Sequence, residues 1–314
     1  MAYDFIKALL PQEKIKEVKE HPLLDFMTDV STTTGELPLK EEVARYKGLN
    51  FTIRKNRIWL SGSLHSFYNI YFKGENQNYD DFTLEKVRII LDKIESLFNL
   101  DLSKCKLENI EIGVNICLPF KTYLILLNLL FHNTKRFRDQ QLRNGKGDYK
   151  NVIHDRFTLK FYDKSLQFNL PYELMRFEIH FNKMTELKQY GIIYLSDLND
   201  KTKLEYLKHE LLKRFDEVFL YDWTIQEDSI KRKPKGFYNW KLWHYWVNDL
   251  NKNNRNKRKE AYRKIVSNYS DKVKEQIRVL IEQKIDELTN TKGDLFTVGR
   301  RKEKKRLFHS LVKV

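Results

Sequence analysis

Arg156-Phe-Thr-Leu-Lys-Phe-Tyr-Asp-Lys164 alternates apolar and polar side chains over most of its length. Successive side chains of a strand point to opposite faces. Phe157, Leu159 and Phe161 therefore share an apolar face, and Thr158, Lys160, Tyr162 and Lys164 share the other. Two more stretches have the same design. Asn109-Ile-Glu-Ile-Gly-Val-Asn-Ile-Cys-Leu118 places Ile110, Ile112, Val114, Ile116 and Leu118 on one side and Glu111, Gly113 and Asn115 on the other. Met175-Arg-Phe-Glu-Ile-His-Phe181 turns Phe177, Ile179 and Phe181 inward and Arg176, Glu178 and His180 outward. Joined in one sheet, the three make a polar floor of two glutamates, a histidine, a tyrosine, an arginine and lysines.

That floor has a chemistry. A phenol between two lysines is a candidate nucleophile for a phosphodiester, because the cations favour phenolate and hold phosphate oxygens. The ordinary alternative is a strand tyrosine beside solvated lysines. Glu111 and Glu178, with His65 or His180 as further ligands, offer donors for Mg²⁺ or Mn²⁺, which would polarise a phosphate. Each histidine has an equally simple reading as a hydrogen-bonded structural residue. Arg176 either orients a phosphate through its planar fork or pairs with Glu178.

The composition sets the partner. In 314 residues there are 58 Lys and Arg against 43 Asp and Glu, a formal net charge of +15. Such an excess favours a polyanion, nucleic acid first. A membrane surface is the weaker alternative, since no basic amphipathic anchor with a broad apolar face stands out. At 41% hydrophobic and 13% aromatic the chain can bury a core. No apolar run approaches the roughly 18–20 residues that span a bilayer, and the first residues lack the pattern of a signal peptide. A cytoplasmic location is expected. Cys105 and Cys117 are too few for a disulfide framework or a cysteine zinc site and are expected to be reduced.

Working outward, residues 1–45 read as a loosely patterned helical arm with a Ser-Thr-Thr-Thr-Gly loop at 31–35. Residues 48–54 and 57–64 read as a strand pair with Lys55-Asn56 as the turn. Residues 83–98 have helical period, as do 119–131, 184–190 (stopped by Gly191) and 202–219. Residues 132–151 are polar, basic and glycine-bearing, with Lys135, Arg136 and Arg138 and then Arg143-Asn-Gly-Lys-Gly147; they read as a mobile basic loop. Lys231-Arg-Lys-Pro-Lys-Gly236 reads as a hinge and domain boundary. Beyond it, helices are expected at about 237–250, 255–268 and 271–289, before a tail containing Arg300-Arg-Lys-Glu-Lys-Lys-Arg306. The result is an α+β fold: an antiparallel sheet with flanking helices in residues 46–230, and a basic helical domain in 231–314. Lys160, Lys135, Arg136, Arg138, Lys231, Arg232 and Lys233 are the candidate DNA contacts. The aromatic group Phe237, Tyr238, Trp240, Trp243, Tyr245 and Trp246 serves either base stacking or the core of the C-terminal helices.

The order of these segments resembles the replication initiators of filamentous phages and related rolling-circle plasmids, the gene II-type proteins most of all. Gly62-Ser-Leu-His-Ser-Phe followed by Asn76-Gln-Asn-Tyr79 is similar to that family's small-residue stretch ending in a Gly-His-Asn-type signature. Asn109-Ile-Glu111 is similar to its Arg-Ile-Asp strand, and Phe161-Tyr-Asp-Lys164 to its Tyr-x-Lys strand. Arg176-Phe-Glu178, then Leu187-Lys and Gly191, is similar to its Arg-Phe-Glu strand and the segment after it. The likeness covers residues 48–220 or so, and its Gly62-to-Asn69 stretch also resembles initiators of plasmids or phages of Bacteroidetes-like bacteria. Asn109 stands where the family often has Arg, Glu111 where it has Asp, and Asn76-Gln-Asn78 lacks the His. There is also no His-hydrophobe-His pair.

The resemblance implies a site-specific nicking–closing endonuclease that starts rolling-circle replication. Tyr162 carries over as the nucleophile forming a phosphotyrosine intermediate, with Glu111 and Glu178 as metal ligands or site carboxylates. Lys164, with Lys160, would stabilise the added charge. Single-stranded or hairpin origin DNA, and a host helicase, are the implied partners. A non-catalytic DNA-binding regulator accounts for the charge and the helical C-terminus, but not for three strand faces collecting Glu, Glu, Tyr and Lys. A relaxase or transposase is disfavoured by the missing His pair, and an RNA-binding protein by the lack of a ribonucleoprotein aromatic signature.

Overall fold

A computed structural model describes residues 2–28, 41–142 and 147–290. The loop expected at 31–35, residues 143–146 of the basic stretch, and the Arg300–Arg306 tail lie outside the described residues.

The strands are β1 (Ala2–Leu9), β2 (Met27–Thr28), β3 (Glu41–Tyr46), β4 (Leu49–Arg54), β5 (Arg57–Ser63), β6 (Lys106–Cys117), β7 (Leu129–His132), β8 (Lys135–Arg136), β9 (Arg138–Gln141), β10 (Asp148–Ile153), β11 (Phe157–Asp163), β12 (Leu174–Phe181) and β13 (Val218–Leu220). The helices are α1 (Ile15–Lys19), α2 (Leu64–Lys73), α3 (Leu84–Phe98), α4 (Thr122–Asn128), α5 (Lys164–Phe168), α6 (Thr185–Lys188), α7 (Lys201–Glu217), α8 (Trp243–Val247), α9 (Lys252–Tyr269) and α10 (Val273–Asn290). Ten strands form one antiparallel sheet in the order β2-β3-β4-β5-β1-β6-β12-β11-β10-β9, and β13-β7-β8 form a small second sheet. The fold is α+β, with a large antiparallel sheet and helices concentrated toward the C-terminus.

The three two-faced stretches are neighbours, β6-β12-β11, and their register aligns them face to face. Lys160 pairs with Glu178 and Glu178 with Gly113; Tyr162 pairs with Arg176 and Arg176 with Asn115; His180 pairs with Glu111. On the apolar side Phe161 stacks on Phe177 at 4.6 Å, and Phe215 of α7 closes over both. Ile277, Ile281 and Ile285 of α10 belong to the same core as Ile112 and Val114, and Phe98 of α3 lies 4.7 Å from Phe51 of β4. The helices thus cover one face of the sheet and leave the polar face to the site.

The 55–56 turn forms as read, with Lys55 (φ 48) and Asn56 (φ 58) both left-handed, as a two-residue hairpin turn requires. Thr83 caps α3 by accepting from the Lys86 amide. Elsewhere tertiary pairing overrides the local pattern. The arm read as helical in 1–45 instead supplies β1, which sits in the middle of the sheet between β5 and β6, and its one α-helix is the short α1. A register shift between Tyr3 and Ile6 sets Asp4 and Phe5 against Glu111 alone, a β-bulge. The bulge breaks strict alternation, so Tyr3, Ile6 and Leu9 mimic helical spacing. Helix 119–131 ends at Asn128, because Leu129–His132 pairs with β13. The stretch read as a mobile basic loop holds β8, β9 and the start of β10. Its charged side chains suit a sheet edge, and Lys150 pairs with Asp139 across β9 and β10 at 3.3 Å.

Past residue 231 the chain packs in two places. Phe237, Trp240, Tyr245, Trp246, Tyr262 and Ile265 form a second core with Phe131 and Phe219 of the small sheet, while α10 returns to the main core. Most of the aromatic group is therefore core; Tyr238 alone of the six is largely exposed, at 63%. No helix among the described residues is long and apolar enough to cross a membrane.

Candidate active site

The polar face of β6, β12 and β11 is closed at one side by β1 and by residues 76–80. Asp4, Glu111 and Glu178 converge there, each offering an oxygen within 4.8 Å of the others. Asp4 reaches the cluster because the bulge in β1 turns it there, and Ser63 Oγ (2.8 Å) and Asn78 Nδ2 (3.1 Å) donate to its Oδ1.

Three cations balance the acids. Arg176 is fully buried; its Nε donates to Glu178 Oε2 at 2.6 Å, Nη1 to Asn115 Oδ1 at 3.3 Å, and Nη2 lies 3.1 Å from Asp4 Oδ2. Lys160 Nζ bridges Glu111 and Glu178, at 3.3 Å from the latter. Lys164, at the start of α5, donates to Asn78 Oδ1 at 3.1 Å and Gln167 Oε1 at 2.8 Å, and stands 5.3 Å from the centre of the Tyr162 ring. The Tyr162 ring stacks on Tyr149 at 4.7 Å, on the face of the sheet that carries Glu178 and Glu111.

These neighbours set the charge states. Burial opposes ionisation of Asp4, but Arg176, Lys164 and His65 outweigh it and hold its carboxyl well below the usual carboxylate range. Burial likewise pushes Glu111 up, while the His180 hydrogen bond and Lys160 bring it down below its ordinary value. Lys160 loses solvation, yet Glu178 and Glu111 more than restore its proton affinity. Lys164 is pulled down to about 8 by burial and by Arg176. Tyr162 moves far above the ordinary phenol range, first through burial and then through the charges of Glu178 and Glu111. The expectation that flanking lysines favour phenolate is thus overturned: burial and the two carboxylates outweigh them, and Lys160 is committed to the carboxylates.

The placement of the other expected residues divides. Tyr162, Lys164, Arg176, Glu111 and Glu178 come together. Arg176 is an ion-pair partner of the acids, without an open fork for phosphate. Lys160 is an internal counter-ion, with only 20% of its side chain exposed, which removes it from the DNA contacts. His180 spends Nδ1 on Glu111 (2.6 Å) and Nε2 on Asn109 (2.8 Å), so it orients a carboxylate and stands outside the acidic cluster. His65 is fully buried, bonded to Asp80 at 2.6 Å and stacked on Phe82 at 4.7 Å; it too lies outside the cluster. Lys135, Arg136, Arg138, Lys231 and Arg232 are exposed and Lys233 half-buried, all away from the acidic cluster's bonds. Sequence reasoning missed Asp4 and Asn78. Asp4 carries no signal once a bulge breaks the alternation; Asn78 lay in the Asn76-Gln-Asn78 stretch of the resemblance, and its backbone oxygen also accepts from Asn115 at 3.0 Å.

Three carboxylates with no sulfur and no free imidazole make an all-oxygen donor set, which suits Mg²⁺ or Mn²⁺. Glu111 and Glu178 are buried at 8% and 2% exposure, so an ion held there would be shielded from water. The residues present therefore fit a divalent ion held by Asp4, Glu111 and Glu178.

No protein-family profile matches the sequence, and no curated protein is similar to it. Among solved structures, the chain is similar to the rolling circle replication initiator protein from Geobacillus stearothermophilus, with a TM-score of 0.42 and 11% sequence identity over 79% of this chain and 94% of that one.

Proposed function

We propose that the protein is a metal-dependent nicking–closing endonuclease that initiates rolling-circle replication through Tyr162. The observation that carries this reading is Tyr162 on the same sheet face as Glu111 and Glu178, two of three carboxylates gathered within 4.8 Å. A nucleophile and a cation-binding cluster share one sheet face.

In this reading Tyr162 Oη attacks a backbone phosphorus, and the bond from phosphorus to the 3′ oxygen breaks. The 5′ phosphate stays on Tyr162 as a phosphodiester, and the leaving oxygen takes up a proton to give a 3′-hydroxyl that a polymerase can extend. Glu178, on the same face of the neighbouring strand, is assigned as the acceptor for the phenol's proton. The cation would draw charge from the phosphate oxygens and offset the two glutamates that raise the Tyr162 pKa. Lys164 stands beside the Tyr162 ring to meet charge added to the phosphate. Arg176 and His180 act as positioning residues for Glu178 and Glu111. Bond exchange conserves the ester energy, so resealing by the 3′-hydroxyl needs no nucleotide. Lys135, Arg136, Arg138, Lys231, Arg232 and Lys233 are assigned to the phosphate backbone of the DNA.

The test uses a supercoiled plasmid carrying the DNA that neighbours this gene, with wild type and Tyr162→Phe, in Mn²⁺, Mg²⁺ or EDTA. Relaxation with a covalent protein–DNA adduct, abolished in Tyr162→Phe and in EDTA, is expected. Nicking that survives Tyr162→Phe would move the nucleophile elsewhere. Salt-sensitive binding without a nick under any metal would favour a non-catalytic regulator.

A further inference from the structure

Helix α9 carries seven lysines and arginines against one acid, Glu260. Its neighbours are balanced differently. On α7 and α10, Lys208 pairs with Asp286, Arg214 with Glu186 at 2.9 Å, Arg278 with Asp216 at 2.9 Å and Lys284 with Asp81 at 2.7 Å. The ion pairs of the described residues include none from α9. Arg255 instead donates to the carbonyls of Val247 (3.1 Å) and Leu250 (3.0 Å), fixing the turn before the helix. Lys259 lies over the Phe131 ring at 5.1 Å, and burial beside Arg255 and Arg263 lowers its proton affinity. Like charges are therefore held together without counter-charges in the protein, a repulsion that an external anion relieves.

The geometry says which anion. Tyr262, Ile265 and Val266 bury the apolar stripe of α9 in the second core. No apolar face remains to enter a bilayer. Lys257, Arg263 and Lys264 are exposed on the opposite side. At a rise of about 1.5 Å per residue α9 is about 27 Å long. Duplex DNA presents one charge per roughly 1.7 Å of axis, so the helix spans many phosphates. Arg136 of β8, exposed and held over the Trp243 ring at 5.0 Å, continues the basic surface from the strand next to Phe131.

We propose that the exposed side of α9, continued by Arg136, is a docking face for the sugar–phosphate backbone of double-stranded DNA, distinct from the Tyr162 site. The choice of DNA as the polyanion rests on the nickase reading. In this arrangement α9 holds the duplex beside the origin while a single strand enters the site.

Fluorescence anisotropy with a labelled duplex of arbitrary sequence tests it, titrating the full-length chain between about 50 and 200 mM NaCl. Combining Lys257→Gln, Arg263→Gln and Lys264→Gln should reduce the log–log salt slope by about 2 to 3, since each lost phosphate contact is worth about 0.9. Lys257→Arg with Lys264→Arg should keep the wild-type slope. Lys55→Gln, Lys188→Gln and Lys201→Gln together remove the same charge elsewhere and should leave the slope in place. An unchanged slope in the α9 variant overturns the proposal, as does an equal loss in both triple variants, which would be an effect of net charge alone. Phosphatidylserine vesicles that displace the duplex as well as unlabelled duplex does would give the face to a membrane and also overturn it. The two readings fail separately: Tyr162→Phe should keep the full slope, and the α9 variant, if its melting temperature is unchanged, should still cleave a single-stranded origin oligonucleotide. A full slope without nicking under any metal ends the nickase reading only.

Discussion

Arg176 and Glu178, two residues apart on β12 and facing the same side, are locked together by an Nε to Oε2 hydrogen bond of 2.6 Å. Both are buried, and the same guanidinium holds Asp4. Removing it leaves two buried carboxylates short of a counter-charge. Arg176→Met is expected to cost about 3–5 kcal/mol in urea unfolding. Arg176→Met with Glu178→Gln should recover part of that loss. Equal stability of Arg176→Met and wild type would show that the pair contributes nothing.

In the proposed reaction Lys164 would leave a signature in pH. Its amine, pulled down to about 8 by burial and Arg176, loses its charge as pH rises through that value. If the charged form stabilises the reacting phosphate, the single-turnover nicking rate falls above about pH 8 on account of this group. Lys164→Arg keeps its charge and should lose that descending limb, whereas Lys164→Met should be slow at every pH. A limb that persists unchanged in Lys164→Arg assigns it to another group.

Asp4 is expected to matter to the metal as much as either glutamate. Loss of an outer partner of a ligand typically costs about 10–100-fold in metal affinity, and loss of a ligand at least that. Mn²⁺ binding followed by calorimetry should therefore weaken at least tenfold in Asp4→Asn, by about 10–100-fold in His180→Gln, and little in His65→Gln. Full affinity in Asp4→Asn would remove β1 from the site.

Gly113 lies directly opposite Glu178, and a Cβ there would come within 2.7 Å of Glu178 Cβ and of the Phe177 carbonyl oxygen. Backbone atoms cannot move aside cheaply. Gly113→Ala is expected to destabilise the chain by about 1–3 kcal/mol and, by displacing Glu178, to slow nicking as well. Wild-type urea midpoint and rate in this variant would contradict the close approach.

A second pH effect concerns stability. His132, fully buried between His154 (2.9 Å) and Glu217 (3.0 Å), is pushed down to about 3 by burial, His154 and Arg214. The folded state keeps it neutral, while an unfolded chain protonates it near pH 6.5. Its contribution is complete above about pH 6.5 and is lost progressively as pH falls toward 3. His132→Asn should flatten the pH dependence of unfolding free energy in that window, measured against wild type at matched salt.

The sequence by itself determined the three strands that carry the site and which side of each faces it, because a period of two is a local property of the chain. Phe157-to-Tyr162, Ile110-to-Asn115 and Phe177-to-His180 each separate their faces without reference to a neighbour, and the Lys55-Asn56 turn and the Thr83 cap are equally local. Tertiary structure alone decided the rest. It set β1 at the centre of the sheet, where a bulge delivers Asp4 opposite Glu111, although the residues around it read as helix. It gave Lys160 and Arg176 to the carboxylates and raised the Tyr162 pKa, since the balance of charge on a phenol depends on which groups other strands bring within a few ångströms. Spacing along one strand fixes direction; the electrostatics of a buried site depend on distances across strands, and those exist only once the sheet has formed.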